Sequence, residues 1–372
     1  MIDKRHKVLL LGKLPPPYMG PAIATKILLG SSLKDCFHLL HLDTRINTSL
    51  NTMGKWSIGK VMKNLGNYWK LLRLNTMQRP SLVLIPISQT TMGYLKDFVF
   101  MFLCKMTGRN VVLQLRGSNF KNWLDQASFL TKTIVRISMK WSSGMIVLGH
   151  NLTYLFKEYY PDDRIFVIPN GGNFHFPSSE KKDDTVRFLF LSNLFDAKGI
   201  RDVMDAVKIL KSTSRFPFHL DVAGSWLEEP TREYCLRLAD EEQLPVTFHS
   251  PVAGEDKLKR FATADVFIFT PREPEGHPWV LVEAMAAALP IIATDKGAIT
   301  ESVSEGENGF IVKDRSPEEI AARMQQLGSD ASLRKKMSVK SFEFYQTRFT
   351  EERMAENYKR CFEVLIGKDR HD

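Results

Sequence analysis

The chain has 372 residues, 44% of them apolar and 25% charged, a balance that excludes the disordered and collagen-like classes. This length exceeds one ordinary core, so two domains of roughly 150 to 200 residues are expected. The net charge of +9 is uneven: residues 1–180 hold 23 Lys/Arg against 9 Asp/Glu, net +14, and the remainder 28 against 33, net −5.

In chain order, short runs rich in Val, Ile, Leu and Phe alternate with helix-like stretches, the pattern of strands buried on both faces of a parallel sheet. The first half predicts strands at 7–12 (KVLLLG), 38–43, 82–87, 111–115, 145–148 and 165–168. The second half repeats the scheme at 187–192 (RFLFLS), 218–223, 246–249, 266–270, 290–294 and 310–312. Between the sets, GGNFHFPSSEKKDDT at 171–185 has the Gly, Pro, Ser and charge content of an exposed connection. The expected organisation is α/β: a doubly wound domain over 1–172, a linker over 173–186 and a second such domain over 187–345. A last helical stretch, Phe342 to Ile366, has no strand after it. Each sheet should bind ligand beyond the carboxyl ends of its strands, with a cleft between the two.

Cys36, Cys104, Cys235 and Cys361 lie far apart, with no CxxC pair and no His cluster at metal-ligand spacing. A reduced, cytoplasmic protein with no metal is the expectation. The apolar stretch near the N-terminus is too short for a signal peptide, and the run Phe98–Cys104 is too short to span a bilayer. Any membrane contact should therefore be peripheral.

From Lys55 to Lys140 there are 14 basic residues and only two acids, Asp97 and Asp125, which predicts a surface facing something anionic. Within it, KWSIGKVMKNLGNYWKLLR at 55–73 interleaves Trp56, Lys60, Lys63, Trp69, Lys70 and Arg73 with aliphatic residues. Two readings stand: an amphipathic helix lying on an anionic membrane, or a core helix with a solvated basic face. Nucleic acid is not an expected partner, since the charge is spread over several elements without a recognisable nucleic-acid motif.

The most informative segment is TPREPEGHPWVLVEAMAAALPIIAT, Thr270 to Thr294: a strand end, a polar turn, a helix and the next strand. Glu275 falls in the turn. Pro278 suits the first helical position, where its missing N–H costs nothing, and Glu283 then lies about one and a half turns in. A helix N-terminus opening from the carboxyl end of a strand is an anion site. Carboxylates bracketing it suit a ligand with hydroxyls on either side of a diphosphate, as a nucleotide sugar has.

Glu275, seven residues, Glu283, then AlaMetAlaAla and LeuProIleIleAlaThr, resembles the signature of glycosyltransferase family 4, the large retaining family of GT-B fold. The resemblance extends to ProAsnGlyGly at 169–172, LeuSerAsnLeu at 191–194 with Lys198-Gly199, and ProProProTyrMetGlyPro at 15–21. It implies two Rossmann-like domains facing a cleft, acceptor side first and donor side second, with the segment 346–372 crossing back to pack on the first. It also implies that Glu283 holds the ribose hydroxyls and that Glu275 contacts the sugar and stabilises the transition state. The turn Gly276-His277, with Trp279 and Val280 at the helix start, grips sugar and diphosphate. Lys198 neutralises the diphosphate, and Gly20 lets backbone approach it.

The chain departs from the family pattern in four places. Asn193 stands where a companion basic residue is usual, and Met19 and Pro21 leave Gly20 the only glycine of its loop. In the sugar-reading turn, His277 and Pro278 stand where an aromatic residue and a glycine are usual, and Pro278 removes an amide donor. Arg116, in LeuGlnLeuArgGlySerAsnPhe at 113–120, replaces a histidine, and with Asn119 on the acceptor side it favours a phosphate-bearing acceptor.

The resemblance thus implies a retaining, metal-independent and cofactor-free glycosyltransferase using a UDP- or GDP-sugar. A lipid-linked or saccharide acceptor in bacterial surface glycan synthesis is expected, with the enzyme cytoplasmic or peripheral on the inner membrane face. A soluble transferase on a small acceptor and a non-catalytic sugar-nucleotide binder are the alternatives.

Overall fold

The computed structural model of the chain describes residues 5–16, 19–45, 58–178 and 183–367. They form two compact units, Met1–Gly172 with Glu351–Asp372, and Asn173–Thr350.

The first unit runs β1 (Lys7–Gly12), α1 (Gly20–Gly30), α2 (Leu33–Cys36), β2 (His38–Asp43), α3 (Ile58–Met77), β3 (Leu82–Ile87), α4 (Thr91–Met106), β4 (Asn110–Leu115), α5 (Phe120–Gln126), α6 (Phe129–Trp141), β5 (Gly144–Val147) and β6 (Ile165–Val167). All strand pairs are parallel, in the order β2-β1-β3-β4-β5-β6. The apolar runs are legible as strands because both faces are covered. Val8, Leu10, Leu82, Leu84 and Val112 share one cluster, and the alternate residues Leu9, Val83 and Leu113 are equally buried.

The second unit runs β7 (Val186–Leu191), α7 (Ile200–Thr213), β8 (Phe218–Ala223), α8 (Glu229–Glu241), β9 (Val246–His249), α9 (Gly254–Thr263), β10 (Val266–Phe269), α10 (Trp279–Ala286), β11 (Ile291–Thr294), β12 (Gly309–Val312), α11 (Pro317–Ser329) and α12 (Ala331–Arg348). Its parallel order is β12-β11-β10-β7-β8-β9. Phe188 and Phe190 point into one core cluster, Leu189 and Leu191 into the other.

The strand orders place the crevices. In each unit the chain winds one way from the first strand and then the other, so the order reverses between β1 and β3 and between β7 and β10. Loops leaving the carboxyl ends of strands on either side of such a reversal part from each other and open a ligand site.

Three expectations are corrected. The stretch Phe342–Ile366 is two helices, α12 and then α13 (Glu351–Gly367). Phe349 leaves helical geometry at φ −126°, ψ 20°, and its buried ring lies 5.0 Å from that of His277. α13 belongs to the first unit, where Met354, Tyr358, Phe362 and Leu365 enter the sheet core and Tyr358 Oη accepts from Gln114 Nε2 at 2.6 Å. The segment 173–186 is not simply an exposed connection. Phe174 and Phe176 pack on the second unit's core beside Tyr345 and Phe261, and Val186 already lies in β7. Pro278 is the residue before α10, at ψ 129°, so the helix starts at Trp279.

Candidate active site

The second unit's reversal lies between β7 and β10, and the candidate residues of that unit come from the loops those strands feed. After β7 the chain forms a short turn, Asp196–Lys198, and Gly199 at φ 77° then turns it into α7. A Cβ on Gly199 would stand 1.9 Å from the carbonyl oxygen of Thr270, so only glycine admits this approach to the loop after β10. Arg272 N donates to Ala197 O at 2.9 Å, and the Arg272 guanidinium engages both oxygens of Asp202, at 2.8 and 2.6 Å, and also Asp196. A bidentate guanidinium–carboxylate pair fixes orientation as well as distance. The two loops are thus strapped together, and at their tips Lys198 Nζ donates to Glu275 Oε1.

The turn carrying Glu275 is held from the other side. Gly297, at φ 61°, lies so close that a Cβ there would meet Glu275 O at 1.7 Å. Ala298 N donates to the carbonyls of Glu275 and Gly276, at 3.2 Å each. Gly276 and His277 are buried, and the imidazole points inward, its Nε2 2.8 Å from Ser302 Oγ. Burial lowers the His277 pKa to about 3, so the ring is neutral. Its side chain is therefore committed to the core, leaving the backbone as the part of this residue available to a ligand. Trp279 is also buried, and Val280 is half-buried.

Glu283, in the second turn of α10, is 6% exposed. Lys257 of α9, which the motif reading missed, puts Nζ 2.6 Å from Oε1, which accepts its hydrogen bond, and 2.5 Å from Oε2, which faces it without one. Burial pushes the carboxyl pKa up and Lys257 opposes the shift. The loops and helices around β10 thus carry two lysine–carboxylate pairs, Lys198 with Glu275 and Lys257 with Glu283, beside the start of α10. The arrangement offers positive charge to a diphosphate and acceptors to hydroxyls.

The remaining predicted residues are dispersed. Asn193 is exposed beyond β7. In the first unit, Gly20 opens α1, Arg116 follows β4 half-buried, and Asn119 is exposed before α5, where its side chain makes no capping bond. Pro17, Tyr18, Lys55 and Trp56 lie outside the described residues, as does the side chain of Lys60. The missed residues Arg272, Lys257 and Gly297 act over long sequence separations, and no local motif marks them.

Fold and site define a doubly wound α/β protein whose lysine–carboxylate pairs lie on elements next to a strand-order reversal. Residues 173–343, within the second unit, match the family described as glycosyl transferases group 1. An uncharacterized glycosyltransferase of Methanocaldococcus jannaschii is 24% identical over 260 residues, 67% of this chain and 65% of that protein. The capsular polysaccharide biosynthesis glycosyltransferase CapM of Staphylococcus aureus is 25% identical over 177 residues, 48% of this chain and 46% of that protein. The chain thus spans less than two thirds of the length of either relative. Among solved structures, Anabaena HepE in complex with UDP and glucose superposes with a TM-score of 0.73 at 16% identity, covering 97% of this chain and 100% of that one. The fold is GT-B.

Proposed function

We propose that the chain is a retaining, metal-independent glycosyltransferase that takes a UDP- or GDP-sugar at the second unit's crevice. The observation that carries this reading is the pair of ion pairs there, Lys198 with Glu275 and Lys257 with Glu283. Glu283 accepts the ribose hydroxyls. Glu275 orients the sugar and stabilises the positive charge that develops on it. Lys198 and the α10 N-terminus face the diphosphate, so the cation that steadies the leaving group comes from the protein itself. Backbone groups of Gly276 and His277, with the start of α10 at Trp279 and Val280, line the sugar position. Asn193 is a supporting phosphate contact, and in the first unit Arg116 with Asn119 serves the acceptor. UDP bound to HepE supports the donor class, and CapM supports surface polysaccharide synthesis as the setting.

The place of work we propose is the cytoplasmic face of a membrane, where a lipid-linked or saccharide acceptor is held. Support comes from α3, α4 and α6, with α4 packed against the other two. Their exposed apolar residues include Leu65, Trp69 at 68%, Met106 and Phe129 at 83%. Lys63, Lys70, Lys105, Arg136 and Lys140 are exposed on the same helices. Apolar side chains among lysines and arginines suit an anionic bilayer surface. No described helix is long and apolar enough to cross a membrane.

The test is transfer from a panel of UDP- and GDP-sugars to acceptor extract, with the product anomer read by NMR. An α-linked product from an α-linked donor is expected. A wild-type rate no higher than that of Glu275→Ala across the panel would instead mark a binder without turnover.

A further inference from the structure

The first unit has its own reversal, between β1 and β3, and a cavity of about 250 Å³ opens there. Its apolar wall includes Leu11, Ile87 and Phe100. Lys13 after β1, Lys96 on α4 and Arg116 after β4 bring three cations to it, against one carboxylate, Asp97. That carboxylate is already satisfied: Oδ1 lies 2.8 Å from Lys96 Nζ, and Oδ2 accepts from Ser88 N at 2.8 Å. Asp97 is itself buried, so the Lys96–Asp97 pair is close to neutral as a unit.

Lys13 and Arg116 remain. Neither is paired with a carboxylate among the described residues, and the Arg116 Nε is buried without a hydrogen-bond partner. Gln89 Oε1, on the same wall, is likewise buried and unpartnered. Burial and the neighbouring Lys96 lower the Lys13 pKa and outweigh the opposing pull of Asp97, which places its ammonium in a site that disfavours positive charge. Half-buried cations whose nearest carboxylate is already engaged elsewhere are costly, and a bound anion relieves that cost through charge-assisted hydrogen bonds. The volume lies below the ~300–1,000 Å³ of drug-sized pockets, which suits one sugar ring better than a longer chain.

We propose that this cavity binds a monosaccharide-sized acceptor through an anionic substituent, a phosphate or carboxylate, held by Arg116 and Lys13. The word acceptor rests on the glycosyltransferase reading; anion binding at the cavity does not. Arg116 offers a planar fork to two oxygens of the anion, Lys13 a point charge, and Gln89 an acceptor for a ring hydroxyl.

Calorimetric titration of the full chain with glucose 1-phosphate, glucuronate and neutral methyl glucoside tests the site, with UDP titrated in parallel. The expected result is at least tenfold tighter binding of one anionic sugar than of methyl glucoside. That preference falls tenfold or more in Arg116→Gln and in Lys13→Gln, while both retain wild-type UDP affinity and are thereby shown to be folded. Arg116→Lys, keeping the charge without the fork, falls between. Equal affinity for neutral and anionic sugars, or a preference that survives both Gln substitutions, would overturn the proposal. Loss of UDP binding with the anion preference intact would sink the donor reading and leave the anion site standing. Vesicles carrying polyprenyl phosphate supply the second source: competition with glucose 1-phosphate assigns a lipid-borne phosphate, and its absence a soluble one.

Discussion

Lys257 of α9 and Glu283 of α10, on helices that flank β10 in sequence, meet with Nζ 2.6 Å from Oε1, giving a buried carboxylate its local cation. Burial raises the Glu283 pKa and Lys257 restrains it. Removing the cation leaves the burial cost uncompensated, so Lys257→Met should destabilise the chain by about 3 kcal/mol. The same change raises the Glu283 pKa further. Since only the ionised carboxylate accepts two hydroxyl bonds, UDP affinity in the variant should fall more steeply between pH 7.5 and pH 5.5 than in wild type. Urea melts and calorimetric titration with UDP at the two pH values check both statements.

His277 supplies a pH dependence of stability. Its folded pKa of about 3 lies below the ordinary histidine value of 6.5, so the stability it contributes is fully present above 6.5 and is lost as pH falls toward 3. Between pH 7.5 and 5.5 the loss should be about 1.4 kcal/mol, the cost of letting the unfolded chain take a proton that the core refuses. His277→Gln should remove that increment, flattening stability against pH over this window in denaturant melts.

Gly297→Ala tests the support beneath Glu275. At φ 61° and with backbone in the way, an added methyl group must displace the turn. A loss of about 2 kcal/mol or more is expected, within the range for strain at a special φ. Transfer activity should fall by more than that stability loss explains at a temperature where the variant stays folded. A variant as stable and active as wild type would remove the turn from the site.

Lys198 and Glu275 should separate from Glu283 in kinetics. If Lys198 stabilises the leaving group as proposed, Lys198→Ala should lower kcat by roughly 10²–10³, the range for losing one preorganised charge-stabilising group. Glu283→Ala removes binding shared by ground and transition states and should raise KM for the donor more than it lowers kcat. Steady-state rates with one active donor sugar decide between the two patterns.

The strands were legible because a parallel strand covered on both faces leaves an uninterrupted apolar run such as VLLL or FLFL. The crevice was legible in part, through Lys198-Gly199 and the segment from Glu275 to Glu283. What escaped was set by tertiary contact. Lys257 on Glu283 and Arg272 on Asp196 and Asp202 join residues 26 to 76 positions apart. The break after α12 follows from Phe349 turning into the core beside His277, and Phe174 and Phe176 lie in a stretch whose polar neighbours outweighed them.

The central claim is that the second unit binds a nucleotide diphosphate sugar through Glu283. Calorimetric titration of UDP and GDP, alone and as their glucose conjugates, into wild type and Glu283→Ala is its most direct test. Saturable one-to-one binding of one nucleotide to wild type, weakened at least tenfold in the variant at unchanged fold, is the predicted result. Wild type that binds none of these ligands, or a variant that binds as tightly as wild type, would contradict the claim.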